Sequence, residues 1–317
     1  MVQNDNHKWE IIMNKINLHG IFPPITTPFE NGKVAFDKLG ANLEKLSKTG
    51  ITGIVVLGSN GEYVYLSEKE KRNVIEAVVR AVPDNMPVIA GTACESAAET
   101  IRLTCDSAEL GACAALLTPP HYYGGKMTDE ALARFYSVVA DNIPIPALLY
   151  NVPKFTHLNL TAGLVSRLSK HPNIVGIKDS SGNVNLLGQY LNNSESNFNV
   201  LVGTAGVLFS GLALGCVGGI VALANVAPEA CVKIHALVNQ GNFEEARRLQ
   251  LQMLPMNNAV TVTYGINGLK AAMDMLDYFG GDPRLPLLPA TKKERIEVRE
   301  LLVQAALLTR EIANEHK

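Results

Sequence analysis

A lysine closing an apolar run is where the chemistry of this chain can begin. The stretch Asn173-Ile174-Val175-Gly176-Ile177-Lys178-Asp179-Ser180-Ser181-Gly182 places Lys178 at the end of a β-branched segment. Burying an ammonium is costly, and such a group tends to give up its proton instead. A neutral amine in a cleft attacks carbonyl carbon, so Lys178 is a candidate Schiff-base nucleophile. Taken alone, the segment also fits a lysine that lays its stem along the strand and keeps its head in water. Asp179 falls on the opposite face of a continuing strand and is not expected to pair with Lys178.

Other segments offer matching chemistry. In Gly58-Ser59-Asn60-Gly61-Glu62, two glycines permit a sharp turn with free N–H groups. Such a nest, with the Ser59 hydroxyl and the Asn60 amide, suits a carboxylate, although small residues also make ordinary strand-to-helix turns. Glu62 is expected to orient this loop rather than act on substrate. Tyr150, in Tyr150-Asn151-Val152-Pro153, brings a phenol that can donate or accept a proton; a buried tyrosine with one hydrogen bond is the plainer alternative. The loop from Thr118 to Gly125 presents Tyr122 and Tyr123 to a cleft or to another subunit. His121, beside prolines, reads as a surface residue. Val202–Gly206 and Gly215–Ile220 are glycine-rich like phosphate loops but contain no lysine or arginine. There is no HExxH, no CxxC and no Walker loop, and the seven histidines are scattered, so neither metal nor cofactor is expected.

These groups need a scaffold. Eight short apolar runs recur: Gly20–Thr26, Gly53–Leu57, Val88–Gly91, Ala114–Thr118, Ala147–Tyr150, Ile174–Lys178, Val200–Val202 and Gly219–Leu223. Most lack polar alternation, as parallel strands covered on both faces do. Helical patterns lie between them. Ser67 and Glu70 form a capping-box spacing for Glu68–Val82, and Gly50 and Gly111 follow two further helices. Eight strand–helix units predict an α/β fold, a (β/α)8 TIM barrel with a C-terminal helical extension. A doubly wound sheet is the rival, but its glycine-rich fingerprint after the first strand is missing. Phe243–Met253, Thr261–Asp277 and Lys292–Glu315 read as the helices of the extension. The expected divisions are an N-terminal extension over 1–17, the barrel over 18–240 and the helical region over 241–317. In such a barrel, functional residues sit at the C-terminal ends of strands, where Lys178, Tyr150 and the Ser59 turn all fall.

Composition narrows the function class. The 317 residues are 47% hydrophobic and 18% charged, enough for a large core. A net charge of −2 with no basic stripe argues against nucleic acid or an anionic membrane as partner. No apolar run reaches membrane-spanning length. Five cysteines without a CxxC pair fit small buried residues in a reducing compartment. Met1–Lys15 resembles neither a secretion signal nor a transit peptide, so a cytoplasmic location is expected.

Together the segments resemble the dihydrodipicolinate synthase / N-acetylneuraminate lyase family of Schiff-base aldolases. The resemblance runs from about Leu18 to Pro289 and rests on Gly20–Phe29, Gly58–Glu62, Tyr150–Pro153, Ile174–Gly182 and Gly215–Asn225 in this order. It implies a barrel with C-terminal helices that assembles as a dimer or tetramer and acts on a 2-oxo acid and an aldehyde. It implies that Lys178 forms an imine with pyruvate and that Tyr150 shuttles protons. It matches Ser59 and Asn60 to the pair that holds the 2-oxo carboxylate and completes a relay. It matches Tyr123, rather than Tyr122, to a tyrosine lent by a neighbouring subunit, and Ile220 to a backbone contact with the 2-oxo acid. Within the family, the lysine-biosynthesis branch places an arginine for the second carboxylate where this chain has Phe155, preceded by Lys154. The sialic-acid lyase branch places acidic residues where this chain has Gly203-Thr204-Ala205-Gly206. The eukaryotic 4-hydroxy-2-oxoglutarate aldolase type is the nearest resemblance. It shares Gly58–Glu62, Cys94-Glu95-Ser96, Pro172–Gly176, Ala259-Val260-Thr261 and Tyr264-Gly265-Ile266. It implies cleavage of 4-hydroxy-2-oxoglutarate to pyruvate and glyoxylate. Condensation of pyruvate with aspartate semialdehyde, cleavage of a 2-keto-3-deoxy sugar acid, and non-catalytic binding of a 2-oxo acid are the alternatives. The human-type enzyme is mitochondrial, which this N-terminus does not echo.

Overall fold

The structure, a computed structural model, describes residues 16–309. Most of the N-terminal extension and the end of the last expected helix lie outside the described residues. Eight strands form the barrel: β1 (Gly20–Phe22), β2 (Ile54–Val56), β3 (Val88–Gly91), β4 (Ala114–Leu117), β5 (Ala147–Asn151), β6 (Ile174–Asp179), β7 (Asn199–Val202) and β8 (Gly218–Ile220). Consecutive strands from β2 to β8 pair in parallel, and β8 pairs with β1. The ring is completed between β1 and β2, where the Thr52 N–H donates to Ile21 O at 2.8 Å and the Ile25 N–H to Val55 O at 2.9 Å.

The strands lack polar alternation because both faces are dry. Val55, Ile89, Leu116 and Leu148 pack inside the barrel, while their neighbours Val56, Ala90, Leu117 and Leu149 pack outward against the helices. The period-two geometry of a strand therefore divides each apolar run between two cores. The Ser67–Glu70 capping box opens the helix Glu68–Ala81 as the spacing predicts.

Several boundaries differ from expectation. The first strand ends at Phe22, because Pro23 and Pro24 cannot donate to a ladder. The eighth ends at Ile220 and gives way to the tight turn Ala222–Asn225. An Asn31-Gly32 turn, with φ of 50° and 74°, joins a small hairpin of Phe29–Glu30 and Lys33–Val34. The sequence reading did not include it, although Asn-Gly is its usual signal. The helix from Phe243 runs through Pro255 to Asn258 and continues as a π-turn, Ala259–Thr263, before Gly265–Met275. The last described helix, Lys292–Gln304, stops well short of Glu315. No helix among the described residues is long and apolar enough to cross a membrane.

Candidate active site

The C-terminal ends of the strands open into a cavity of about 890 Å³ whose wall includes Ser59, Asn60, Tyr150 and Lys178. Strand register explains why Lys178 meets Tyr150. The two are direct Cα partners on β6 and β5, so they stand side by side across one parallel pair. Lys178 is 2% exposed, and its Nζ lies 4.0 Å from the centroid of the Tyr150 ring. An ammonium with its head in water is therefore not the arrangement observed.

One residue further on, the same register places Asn151 opposite Asp179 on the outward face. Asn151 Nδ2 donates to Asp179 Oδ1 at 2.6 Å, and Ser181 Oγ donates to Oδ2 at 2.6 Å. Asp179 is thus committed to these partners and not to Lys178. Burial raises its carboxyl above the ordinary value, against the pull of the two donors.

The Tyr150 phenol responds to opposing influences. Burial alone would push it up. The Lys178 charge and the approach of Ser59, Ser180 and Lys178 outweigh that and hold it below its usual value. A phenol so lowered is suited to exchange protons at the cleft. Tyr63, also in the wall, is pushed up by burial, while a hydrogen bond with Thr118 pulls the other way.

The Ser59–Gly61 turn is closed by Gly61 N–H to Gly58 O at 2.9 Å and Glu62 N–H to Ser59 O at 3.2 Å. Asn60 Nδ2 reaches Pro24 O at 3.4 Å. Glu62 is buried and paired with Lys270, in keeping with an orienting role. Across the cavity, Ser180 Oγ donates to Gly203 O at 3.1 Å. A Cβ at Gly203 would lie 2.1 Å from Ser180 Oγ and 2.6 Å from Asp179 O, so this glycine is required by close packing rather than by a phosphate.

Two expected residues do not line the cavity of this chain with their side chains. Tyr123 is 71% exposed, stacks edge-on against Tyr122 at 5.0 Å, and is not part of the cavity wall of its own chain. The Ile220 side chain is fully buried inside the barrel, and Ala222 takes the wall position after β8. His121 is not a free surface residue. Its Nδ1 lies 3.0 Å from Glu95 Oε1, and Glu95 Oε2 also accepts from the His121 and Tyr122 N–H groups, latching the tyrosine loop.

The sequence reading did not anticipate Tyr63, Thr118, Ser180 or the outer wall. Ser180 had a signal: it lies two residues beyond Lys178 and so on the same face. The outer wall had none beyond the shared Ala259-Val260-Thr261 and Tyr264-Gly265-Ile266 segments, since it comes from the π-turn and the residues after it. There Lys154 Nζ donates to Thr261 O at 2.6 Å, and Val260, Thr261 and Tyr264 line the cavity.

Residues 17–305 match the family described as the dihydrodipicolinate synthetase family. The chain belongs to this family. Members are carbon–carbon lyases of the aldolase or synthase type, and this chain is such an enzyme. Among curated relatives, the 4-hydroxy-tetrahydrodipicolinate synthase of Methanothrix thermoacetophila is 37% identical over 292 residues, covering 92% of this chain and 98% of the relative. That of Geobacter metallireducens is 36% identical over 279 residues, covering 87% and 96%. Among solved structures, the dihydrodipicolinate synthase of Thermotoga maritima superposes with a TM-score of 0.88 at 28% identity, covering 92% of this chain and 99% of that one. The chloride-inhibited dihydrodipicolinate synthase of Acinetobacter baumannii, complexed with pyruvate, superposes at 0.87 with 31% identity and the same coverage. The eukaryotic 4-hydroxy-2-oxoglutarate aldolase type is not among these relatives.

Proposed function

We propose that this member of the dihydrodipicolinate synthetase family works through an imine between Lys178 and pyruvate. The observation that carries the proposal is the buried Lys178 Nζ 4.0 Å from the Tyr150 ring, beside a phenol held below its usual value. The pyruvate-bound relative supports the choice of 2-oxo acid. Lys178 attacks C2, and loss of water gives an iminium that withdraws electrons from C3. Tyr150 moves the protons, relayed by Ser59 and by Tyr123 from a neighbouring subunit. Ser59 and Asn60 fix the carboxylate with the backbone at Ile220, so orientation contributes to the rate. Loss of a proton from C3 then gives an enamine that can attack an aldehyde. In the reverse direction, cleavage of C3–C4 generates the same enamine.

For the aldehyde, the names of the relatives favour the synthase reaction, pyruvate with aspartate semialdehyde, and we take that as the leading reading. One observation favours a second, cleavage of 4-hydroxy-2-oxoglutarate to pyruvate and glyoxylate. Phe155 stands in the cavity wall where the synthase branch is expected to carry an arginine, and a phenyl ring cannot pair with a carboxylate. The exposed Tyr123, which does not line the active-site cavity of its own chain, supports a homo-oligomer, dimer or tetramer. Five free cysteines support a reducing, cytoplasmic setting.

Borohydride reduction in the presence of pyruvate is the direct test. One pyruvate-derived mass on Lys178, absent from Lys178→Ala, is the expected result. Labelling elsewhere, or none, overturns the reading. A panel of aldehydes with pyruvate separates the two substrates: turnover with aspartate semialdehyde favours the synthase, and turnover with glyoxylate alone favours the aldolase.

A further inference from the structure

The turn that carries Ser59 and Asn60 is flanked by two non-glycine residues in the left-handed region, Leu57 at φ 57° and Glu62 at φ 53°. Each costs of the order of 1 kcal/mol and persists only where the surroundings hold it. At Glu62 the hold comes from the C-terminal region. Its side chain is 1% exposed, and Lys270 Nζ, equally buried, lies 2.6 Å from Oε1. Glu62 Oε2 accepts from the Arg284 N–H at 2.7 Å. Lys270 Nζ also donates to Thr27 O at 2.9 Å and Asp282 O at 3.1 Å, and it lies 4.6 Å from the centroid of Phe29. Thr27 in turn donates through Oγ1 to Gly61 O at 2.7 Å. Lys270 therefore grips the turn twice, once through the Glu62 carboxylate and once through Thr27.

Stability alone does not account for such a pair. Replacing a buried ion pair by neutral groups of similar volume is often neutral or stabilising, whereas removing one partner strands a charge. What the pair supplies is a fixed position. We propose that Lys270, acting through Glu62, is a positioning residue that holds the Ser59-Asn60 turn in register with Lys178, making the C-terminal helical region part of the substrate-carboxylate site. The inference rests on the imine reading above.

The test uses the full chain and three proteins: wild type, Lys270→Met and Glu62→Gln/Lys270→Met. In each, thermal unfolding, borohydride trapping of pyruvate on Lys178 at graded pyruvate concentration, and steady-state kinetics are measured. Lys270→Met is expected to be destabilised, because it strands the Glu62 carboxylate. The double variant, with no charge stranded, is expected to fold with a transition close to that of wild type. Its half-trapping concentration and its KM for pyruvate are expected to rise at least about ten-fold, equivalent to about 1.4 kcal/mol. Because the same turn carries Ser59, which favours the Tyr150 phenolate, the pH limb of kcat in the double variant is expected to move to higher pH as well. A folded double variant with wild-type trapping and KM overturns the proposal. So does a double variant that does not fold, because the pair would then be a stability element. A wild-type chain that traps no pyruvate refutes the imine reading itself and is told apart by that protein alone.

Discussion

Burial and charge pull the Tyr150 phenol in opposite directions, and the net lowering has a kinetic consequence. If the phenolate accepts the proton, kcat rises with pH through an apparent pKa below the ordinary tyrosine value of about 10. Ser59→Ala removes a group that favours the phenolate, so the limb should move to higher pH. Tyr150→Phe should abolish the limb and lower kcat by about 10²- to 10⁴-fold. The profile of kcat against pH in the three proteins is the check. A limb that survives in the phenylalanine variant removes Tyr150 from the role. Lys178→Ala should leave no measurable turnover, since the amine that would form the imine is removed.

At the scale of elements, the junction between β6 and β7 is tightly packed beside the site. The Gly203 N–H donates to Asp179 O at 2.6 Å, and no side chain fits above it. Gly203→Ala should force Ser180 away from Tyr150. A cost of about 1–3 kcal/mol in a denaturant midpoint is expected, together with a fall in kcat. Full stability with full activity would show that the strands can separate without effect. This junction also shows what was legible in the sequence. The strands and their order were readable because each is a short apolar run between helix signals. Lys178 and Tyr150 were readable because their residue types are unusual at strand ends. Boundaries set by Pro23 and Pro24 were overrun, because the apolar pattern continues where the ladder cannot. The outer wall was not readable, because Lys154 meets Thr261 only after a helix passes through Pro255 into a π-turn. The partners of Glu62 were hidden for the same reason: they lie far away in sequence, in a segment with no chemical motif.

At the scale of the whole molecule, one arginine ties together parts that sequence separates. Arg284, in the C-terminal connector, makes a two-pronged contact with Glu70, with both N···O distances between 2.7 and 2.9 Å. It also donates to Tyr65 O and Gly32 O, and its guanidinium lies 4.4 Å from the centroid of Phe29. The first barrel helix after β2, the small hairpin and the connector thus share one cation. The Arg284 hydrogen bonds, assisted by those of Ser67, lower the Glu70 carboxyl from 4.5 to about 2. The folded-state value lies below the unfolded one, so the folded chain binds fewer protons here. Its contribution is complete above about pH 4.5 and is lost as pH falls through about 2. With Glu70 30% exposed, solvent screening leaves of the order of 2 kcal/mol. Glu70→Gln should therefore lose about that much at neutral pH, while its deficit relative to wild type should shrink steadily below pH 4.5. Urea midpoints of the two proteins across this range decide the matter. Parallel acid profiles would mean that the contact holds no net free energy, and that the three segments are kept together by the apolar packing around Phe29 instead.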